Sequence, residues 1–376
     1  MVEDTDATDP ELPQSDGLDR PIVALVMAGG TGTRLYPASR ADRPKQFRSL
    51  APASTDDSLL RRTVERMGFA DEIYVSTAAE HANRVQEEVP EAGVLVEPEA
   101  KDTGPALVYA AHRVREQRRG IRDGTSERRS REQVGDCVLL CVPSDHLVAG
   151  AFEQTARTAA RAAVETEGLV TFGVEPTRPA TGYGYVEPAE EPSDSGIAPG
   201  YAPVEQFREK PDTKTAEAFV ARGFYWNAGL FAWTPDALLR EARDSPLGSL
   251  VAALEAGEPE RGFSDVEGVS IDYAVLERTD DAYVVPADFE WDDVGAWDAI
   301  ERVVETDEDG NAILGEALTI DAEDNVVAGD DEAHVSLVGV DGLVVATFDD
   351  RVLVVPKDEA QRVRDVVATL REQGRF

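Results

Sequence analysis

The chain has 376 residues, 42% of them hydrophobic, more than one average domain needs, so a large domain with a smaller companion is expected. Asp and Glu number 74 against 37 Lys and Arg, a net charge of −37, and only five of the basic residues are lysine. That balance argues against general binding to nucleic acid or an anionic membrane, and it marks a halophile-like protein whose self-repulsion is screened by concentrated salt. Residues 1–20 are acidic, contain proline and lack a hydrophobic segment, so they read as a disordered tail and not as a signal peptide. No later run approaches the roughly 18 apolar residues of a membrane span, and a cytoplasmic protein is expected.

Ile22 to Met27 is an unbroken apolar run of the length of a buried parallel strand. It empties into Ala28, Gly29, Gly30, Thr31, Gly32, Thr33 and Arg34, where missing side chains let backbone N–H groups approach phosphate oxygens. Arg34 adds a fork of donors and Lys45 a point charge. A P-loop is excluded because no lysine follows the last glycine directly, and a dinucleotide fingerprint is excluded because no glycine follows Gly32 before Gly68. On these residues alone an ordinary glycine-rich turn remains open.

Strand-like runs then alternate with helical stretches: Ile73 to Thr77, Val94 to Glu97, Cys137 to Val142 and Leu169 to Val174, with Ser58 to Met67 and Phe152 to Glu165 between them. The expected fold class is α/β, a Rossmann-like, mainly parallel sheet flanked by helices, with ligands at the carboxyl ends of its strands. Cys137 and Cys141 lie on one apolar run and read as small buried hydrophobes. Residues 113–131 carry eight arginines and read as a surface insertion. Cys137 to Val142 runs into Pro143, Ser144, Asp145 and His146, where Asp145 is placed either to cap a helix or to bind magnesium. Beyond Thr181, GYGYV and Val204 to Glu209 read as strands around a Pro, Gly and acid-rich excursion; Glu209 leads into Lys210 and Pro211. An exposed turn is the ordinary reading of such a triplet. Asp292 and Asp293, before Gly295 and Trp297, read equally as the acidic first turn of a helix.

The string from Gly29 to Phe47, GGTGTRLYPASRADRPKQF, resembles the signature of the sugar-nucleotide pyrophosphorylases, and its PKQF ending resembles the mannose-1-phosphate guanylyltransferase branch. The resemblance covers residues 22 to about 370 and implies a catalytic domain over 21–305. It implies nucleotide contacts at Ala28, Gly29, Gly30, Gly32, Thr33, Arg34, Thr103, Pro105, Ser144 and Asp145. In the VEPEAKDTGP stretch, Asp102 and Gly104 stand where the family usually has Asn and Ala. It further implies a sugar-phosphate pocket of Gly184, Glu209, Lys210 and Asn227, metal ligands Asp145 and Asp293, and Arg34, Lys45, Lys210 and Asp145 as the catalytic set. Magnesium, with manganese as a substitute, is the implied cofactor. GTP and mannose 1-phosphate are the implied substrates, and a homodimer the implied assembly. Two alternatives stay open: a sister enzyme with another base or sugar, and a non-catalytic nucleotide-sugar-binding subunit.

From about residue 308 short β-rich runs recur, and the resemblance implies coils of a left-handed β-helix over 306–376. After Lys357 a closing helix is expected to bury Ala360, Val363, Val366, Val367 and Leu370. The cupin-like isomerase domain that some relatives carry beyond this point is expected to be absent.

Overall fold

The computed structural model describes residues 18–30, 32–50, 57–120, 137–189, 200–330 and 333–376. Most of the acidic tail, Thr31, the arginine-rich stretch beyond 120 and the 190–199 excursion lie outside the described residues.

In chain order the first strands are β1 (Ile22–Met27), β2 (Glu72–Ala78), β3 (Gly93–Glu97), β4 (Val138–Pro143), β5 (Leu147–Gly150) and β6 (Leu169–Val174). They are followed by β7 (Gly184–Pro188), β8 (Ala202–Arg208), β9 (Tyr225–Trp233), β10 (Ala282–Pro286) and β11 (Phe289–Asp292). Among the described residues nine of these form one sheet in the order β3-β2-β1-β4-β9-β6-β10-β8-β7. The first four are parallel, as the alternation predicts. β9 runs antiparallel to both β4 and β6, and β7 and β8 complete a mixed half that the apolar runs did not disclose.

β1 shows why its run is unbroken. Val23 and Leu25 face a core shared with the helix Thr103–Gly120, while Ile22, Ala24 and Val26 face a second core shared with the helices Leu59–Arg66 and Phe152–Thr166. Both faces are covered, so every position must be apolar. Burying one such side chain contributes about 1.5–3 kcal/mol. Cys137 and Cys141 are buried in the first core, neither of them in a disulfide.

The helix Thr103–Gly120 absorbs the start of the arginine-rich stretch, which corrects its reading as a surface insertion from residue 113. Arg115 is buried and pairs with Asp236, and Arg118 pairs with Glu72.

The remaining strands, β12 (Ala312–Leu314), β13 (Glu316–Ile320), β14 (Val326–Gly329), β15 (His334–Val338), β16 (Leu343–Phe348) and β17 (Arg351–Pro356), stack as coils. β12-β14-β16 pair in parallel on one side and β13-β15 on another, and β17 closes the first ladder antiparallel. Buried asparagines join successive coils: Asn325 Nδ2 donates to Asn311 Oδ1 at 2.9 Å and to the Val340 carbonyl at 3.0 Å. Buried amides satisfied in this way fix the register of the coils. A third core combines Val344 and Ala346 of this region with Leu35, Tyr36 and Trp297. In the closing helix Val363–Glu372, Val363 and Val367 join that core, but Val366 is 41% exposed. Val366 stands at the edge of the stripe, about 100° around the helix from Val367, and this core does not cover it, which narrows the expected apolar stripe.

Candidate active site

The carboxyl ends of β1 and β4 are tied together, because Ser144 N donates to the Met27 carbonyl at 3.0 Å. The Ala28 carbonyl accepts from Gln46 Nε2 and from Thr77 Oγ1, both at 3.0 Å, fixing the entry to the glycine loop. Gly29 and Gly30 are exposed, with their backbone open to a ligand. Gly32 has φ 59°, and a Cβ there would stand 2.5 Å from Lys45 Cβ. Only glycine allows the loop to lie directly on Lys45. Thr33 begins a short 3-10 turn, and Arg34 in that turn is exposed and makes no ion pair among the described residues.

Lys45 is the centre of the arrangement. Its Nζ lies 3.1 Å from Asp145 Oδ2 and 2.6 Å from the Asp293 carbonyl, and the residue is 2% exposed. A buried ammonium is stable only with such partners. Burial opposes ionisation of Asp145, but Lys45 and His146 outweigh it and hold the carboxyl below its usual range. Asp293 reaches this place because β11 pairs antiparallel with β5, laying Asp292 beside Leu147, two residues after Asp145. The segment is therefore strand up to Asp292, not the first turn of a helix. Asp292 is held by Arg302 at 2.7 and 3.1 Å, whereas Asp293 Oδ1 accepts from Tyr183 Oη at 2.7 Å. Val294, buried between Asp293 and Gly295, has φ 42°. A β-branched residue is strained in that conformation, and here it turns Asp293 toward the site.

Tyr183 joins the two halves of the cleft, since its carbonyl accepts from Lys210 N at 3.2 Å. Burial and the neighbouring Asp293 push its phenol well above the ordinary tyrosine range, so it stays a donor. Its ring packs against Trp226 and Trp291 with centroids 5.0 and 5.2 Å away, and Trp291 Nε1 donates to His146 Nδ1 at 3.1 Å. Burial lowers the His146 pKa despite the nearby carboxylates, favouring the neutral ring.

On the far side, Lys210 has φ 45° and its Nζ lies 2.6 Å from Glu209 Oε1. Glu209 is buried, and among the described residues its Oε2 has no hydrogen-bond partner. A Cβ on Gly184 would come 2.5 Å from that oxygen, so glycine is what lets β7 lie over the carboxylate. Asn227 accepts from Thr171 Oγ1 at 2.7 Å and donates to Asp272 Oδ1 at 2.8 Å. Burial and Glu209 push the Asp272 carboxyl up to about 7. Thr103 and Pro105 open the helix Thr103–Gly120, and the Thr103 hydroxyl accepts from Ile271 N, holding the segment that carries Asp272.

Lys45, Asp145, Asp293, Lys210, Glu209, Gly184 and Asn227 are thus brought into one connected set of contacts through Tyr183, with Gly32 of the glycine loop against Lys45. Sequence reasoning missed Tyr183, Trp291, His146 and Asp272 as members. The first three sat inside strings already singled out, but Asp272 had no signal beyond an acid before an apolar run. Among the described residues no cluster of three or more His, Cys, Asp or Glu forms a metal cage. The donors here are two carboxylates, and an ammonium rests on one of them and on the carbonyl of the other residue. Such an all-oxygen, cation-attracting pair fits a hard divalent ion that draws its other ligands from phosphate and water.

A strand-end glycine loop beside two carboxylates and two lysines is the architecture of a nucleotidyltransferase, and residues 23–310 match the family model described as nucleotidyl transferase. The chain belongs to that family. Residues 315–370 match the MannoseP isomerase/GMP-like beta-helix domain. The chain is 36% identical to the xanthan biosynthesis protein XanB of Xanthomonas campestris, over 94% of this chain and 74% of the relative. It is 34% identical to a mannose-1-phosphate guanylyltransferase of Klebsiella pneumoniae, over 94% and 75%. A crystal structure from Thermus thermophilus, described as a mannose-1-phosphate geranyltransferase, superposes with a TM-score of 0.79 at 33% identity, covering 93% of this chain and 99% of that one. Enzymes of the nucleotidyltransferase family generally use a divalent metal ion. Among the described residues no helix is long and apolar enough to cross a membrane.

Proposed function

We propose that the protein makes GDP-mannose and pyrophosphate from GTP and mannose 1-phosphate. The observation that carries this reading is the Lys45 ammonium seated on Asp145 and the Asp293 carbonyl, within PKQF and directly under Gly32. The names of the Klebsiella and Thermus relatives support the choice of sugar phosphate.

A phosphate oxygen of mannose 1-phosphate attacks the α-phosphorus of GTP in line; the bond from that phosphorus to its bridging oxygen breaks, and pyrophosphate leaves with the electron pair. No protein nucleophile takes part. The backbone from Ala28 to Thr33, with Ser144, holds the triphosphate, and Arg34 and Lys45 balance charge on the reacting and leaving phosphates. Thr103 and Pro105 flank the base. Lys210 holds the phosphate of the sugar, while Glu209, Asn227 and the Gly184 backbone receive sugar hydroxyls. Asp145 and Asp293 would hold magnesium, or manganese in its place, and the ion would supply positive charge against the phosphates. We place the enzyme in the cytoplasm as a homodimer, a state favoured by exposed Val352 and Val354 on the outer strand β17 and checked by light scattering.

Purified protein assayed for pyrophosphate release against four nucleoside triphosphates and several sugar 1-phosphates, with magnesium or with chelator, tests the reading. GTP with mannose 1-phosphate and metal is expected to be fastest. A different best pair would make it a sister enzyme, and no release from any pair would leave only binding.

A further inference from the structure

Lys45 is bracketed in sequence by Arg43 and Arg48, and both reach across to one carboxylate. Arg43 Nη1 lies 2.6 Å from Asp349 Oδ1 and Arg48 Nη2 lies 3.2 Å from Asp349 Oδ2. Arg40, itself buried, adds Nη2 at 2.8 Å from Oδ2 and reaches Asp350 at 3.4 Å. Asp349 stands in the turn between β16 and β17 at φ 54°, and its N–H donates to Asp330 Oδ2 at 2.6 Å. Arg48 Nε also donates to the Ala38 carbonyl at 2.7 Å, closing the segment on itself.

The three guanidinium groups repel each other, and Asp349 is the carboxylate that all three share to offset this, whereas Asp42 and Asp350 reach only Arg40 of the three. The rest of the segment leans the same way. Leu35 and Tyr36 share a core with Val344 and Ala346 of the coils and with Val363 and Val367 of the closing helix, while Trp297 Nε1, from the catalytic half, donates to the Tyr36 carbonyl at 2.8 Å. The stretch from Leu35 to Arg48 therefore rests on the β-coil region, and Lys45 projects from it into the cleft between Asp145 and Asp293.

We propose that Asp349 is a positioning residue: through the three arginines, the C-terminal β-coil region sets the place of Lys45 and so sets turnover. The effect on turnover rests on the function proposed above; the effect on the segment does not. A second bridge between the two regions serves as the contrast. Lys357 binds Glu301 at 2.5 Å and Asp324 at 2.6 Å, and neither of these partners belongs to the Leu35 to Arg48 stretch.

Full-length Asp349→Asn and Lys357→Ala are compared with wild type at a temperature where circular dichroism shows all three folded. Asn tolerates the left-handed backbone at 349, so the substitution removes charge and keeps shape. For Asp349→Asn, kcat is expected to fall about tenfold to a hundredfold with both KM values within about twofold, as misplacing a charged group does. Hydrogen exchange over residues 40–48 is expected to speed up in the same variant. Lys357→Ala is expected to lower Tm while leaving kcat and exchange over 40–48 at wild-type levels. Should Asp349→Asn not fold, Arg43→Gln removes one arm and is expected to show the same pattern at smaller size. Unchanged kcat and unchanged exchange over 40–48 in a folded variant would overturn the proposal. Wild-type protein that releases no pyrophosphate from any pair would overturn the proposed function instead, and exchange would still decide the clasp.

Discussion

Lys45 and Lys210 sit on either side of Tyr183 and are held in opposite ways. The Lys45 side chain is 3% exposed, and its segment is fixed by Asp349 from another part of the molecule. The Lys210 side chain is 49% exposed, rests on the carboxylate of its own neighbour Glu209, and hangs from a left-handed backbone. A buried ammonium held by two oxygens cannot follow a ligand without breaking those hydrogen bonds, whereas a half-exposed one can turn toward an incoming phosphate. The first arrangement suits a charge needed at one place during reaction, and the second suits capture of a substrate.

That contrast breaks first at the carboxylates around Lys45. Asp145→Asn or Asp293→Asn is expected to lower kcat by about two to three orders of magnitude, as loss of a preorganised charge does, with the circular dichroism spectrum unchanged. Full turnover by either variant, or by wild type in excess chelator, would remove the electrostatic role of the pair. Lys45→Ala is expected to follow with a kcat loss of about 10² and little discrimination between substrates. Lys210→Ala sharpens the comparison: it removes a charged hydrogen bond of about 1.5–3 kcal/mol from one ligand, so KM for mannose 1-phosphate rises about tenfold to a hundredfold while that for GTP changes little. Equal effects on both substrates would show that Lys210 does not belong to the sugar side.

The smallest effect concerns Asp272, which faces Glu209 and Lys210. With its carboxyl raised to about 7 by burial and Glu209, the folded chain retains a proton that the unfolded chain has released. Its contribution to stability is therefore full below the unfolded value of about 3.9 and is lost as pH rises through about 7. Asp272→Asn is expected to flatten this part of the stability curve. Melting both proteins from pH 5 to pH 8 reads the difference, and parallel curves would separate Asp272 from the pair.

Much of the catalytic half was legible because its signals are local. A strand covered on both faces must be apolar throughout, so β1, β4 and β6 announced themselves, and a loop approaching phosphate must be rich in glycine. Asp293 was distinguishable from Asp292 only by resemblance. In the structure the distinction rests on Arg302 taking one carboxylate and Tyr183 the other, from positions 10 and 110 residues away. The mixed half of the sheet was hidden because β9 pairs with β4 and β6, and β10 with β8, across long intervals, and local patterning does not specify a partner.

The sequence by itself determined the parallel strands, the glycine loop, the coil-like repeats and the acid excess, since each follows from backbone freedom, periodicity or composition within a short window. Tertiary structure alone decided that Lys45 lies between Asp145 and Asp293, that Asp272 shares a pocket with Glu209, and that Asp349 holds the segment bearing Lys45. Those are meetings of charged groups about 60 to 300 residues apart, and burial makes their partners obligatory without any local pattern saying which partner it will be.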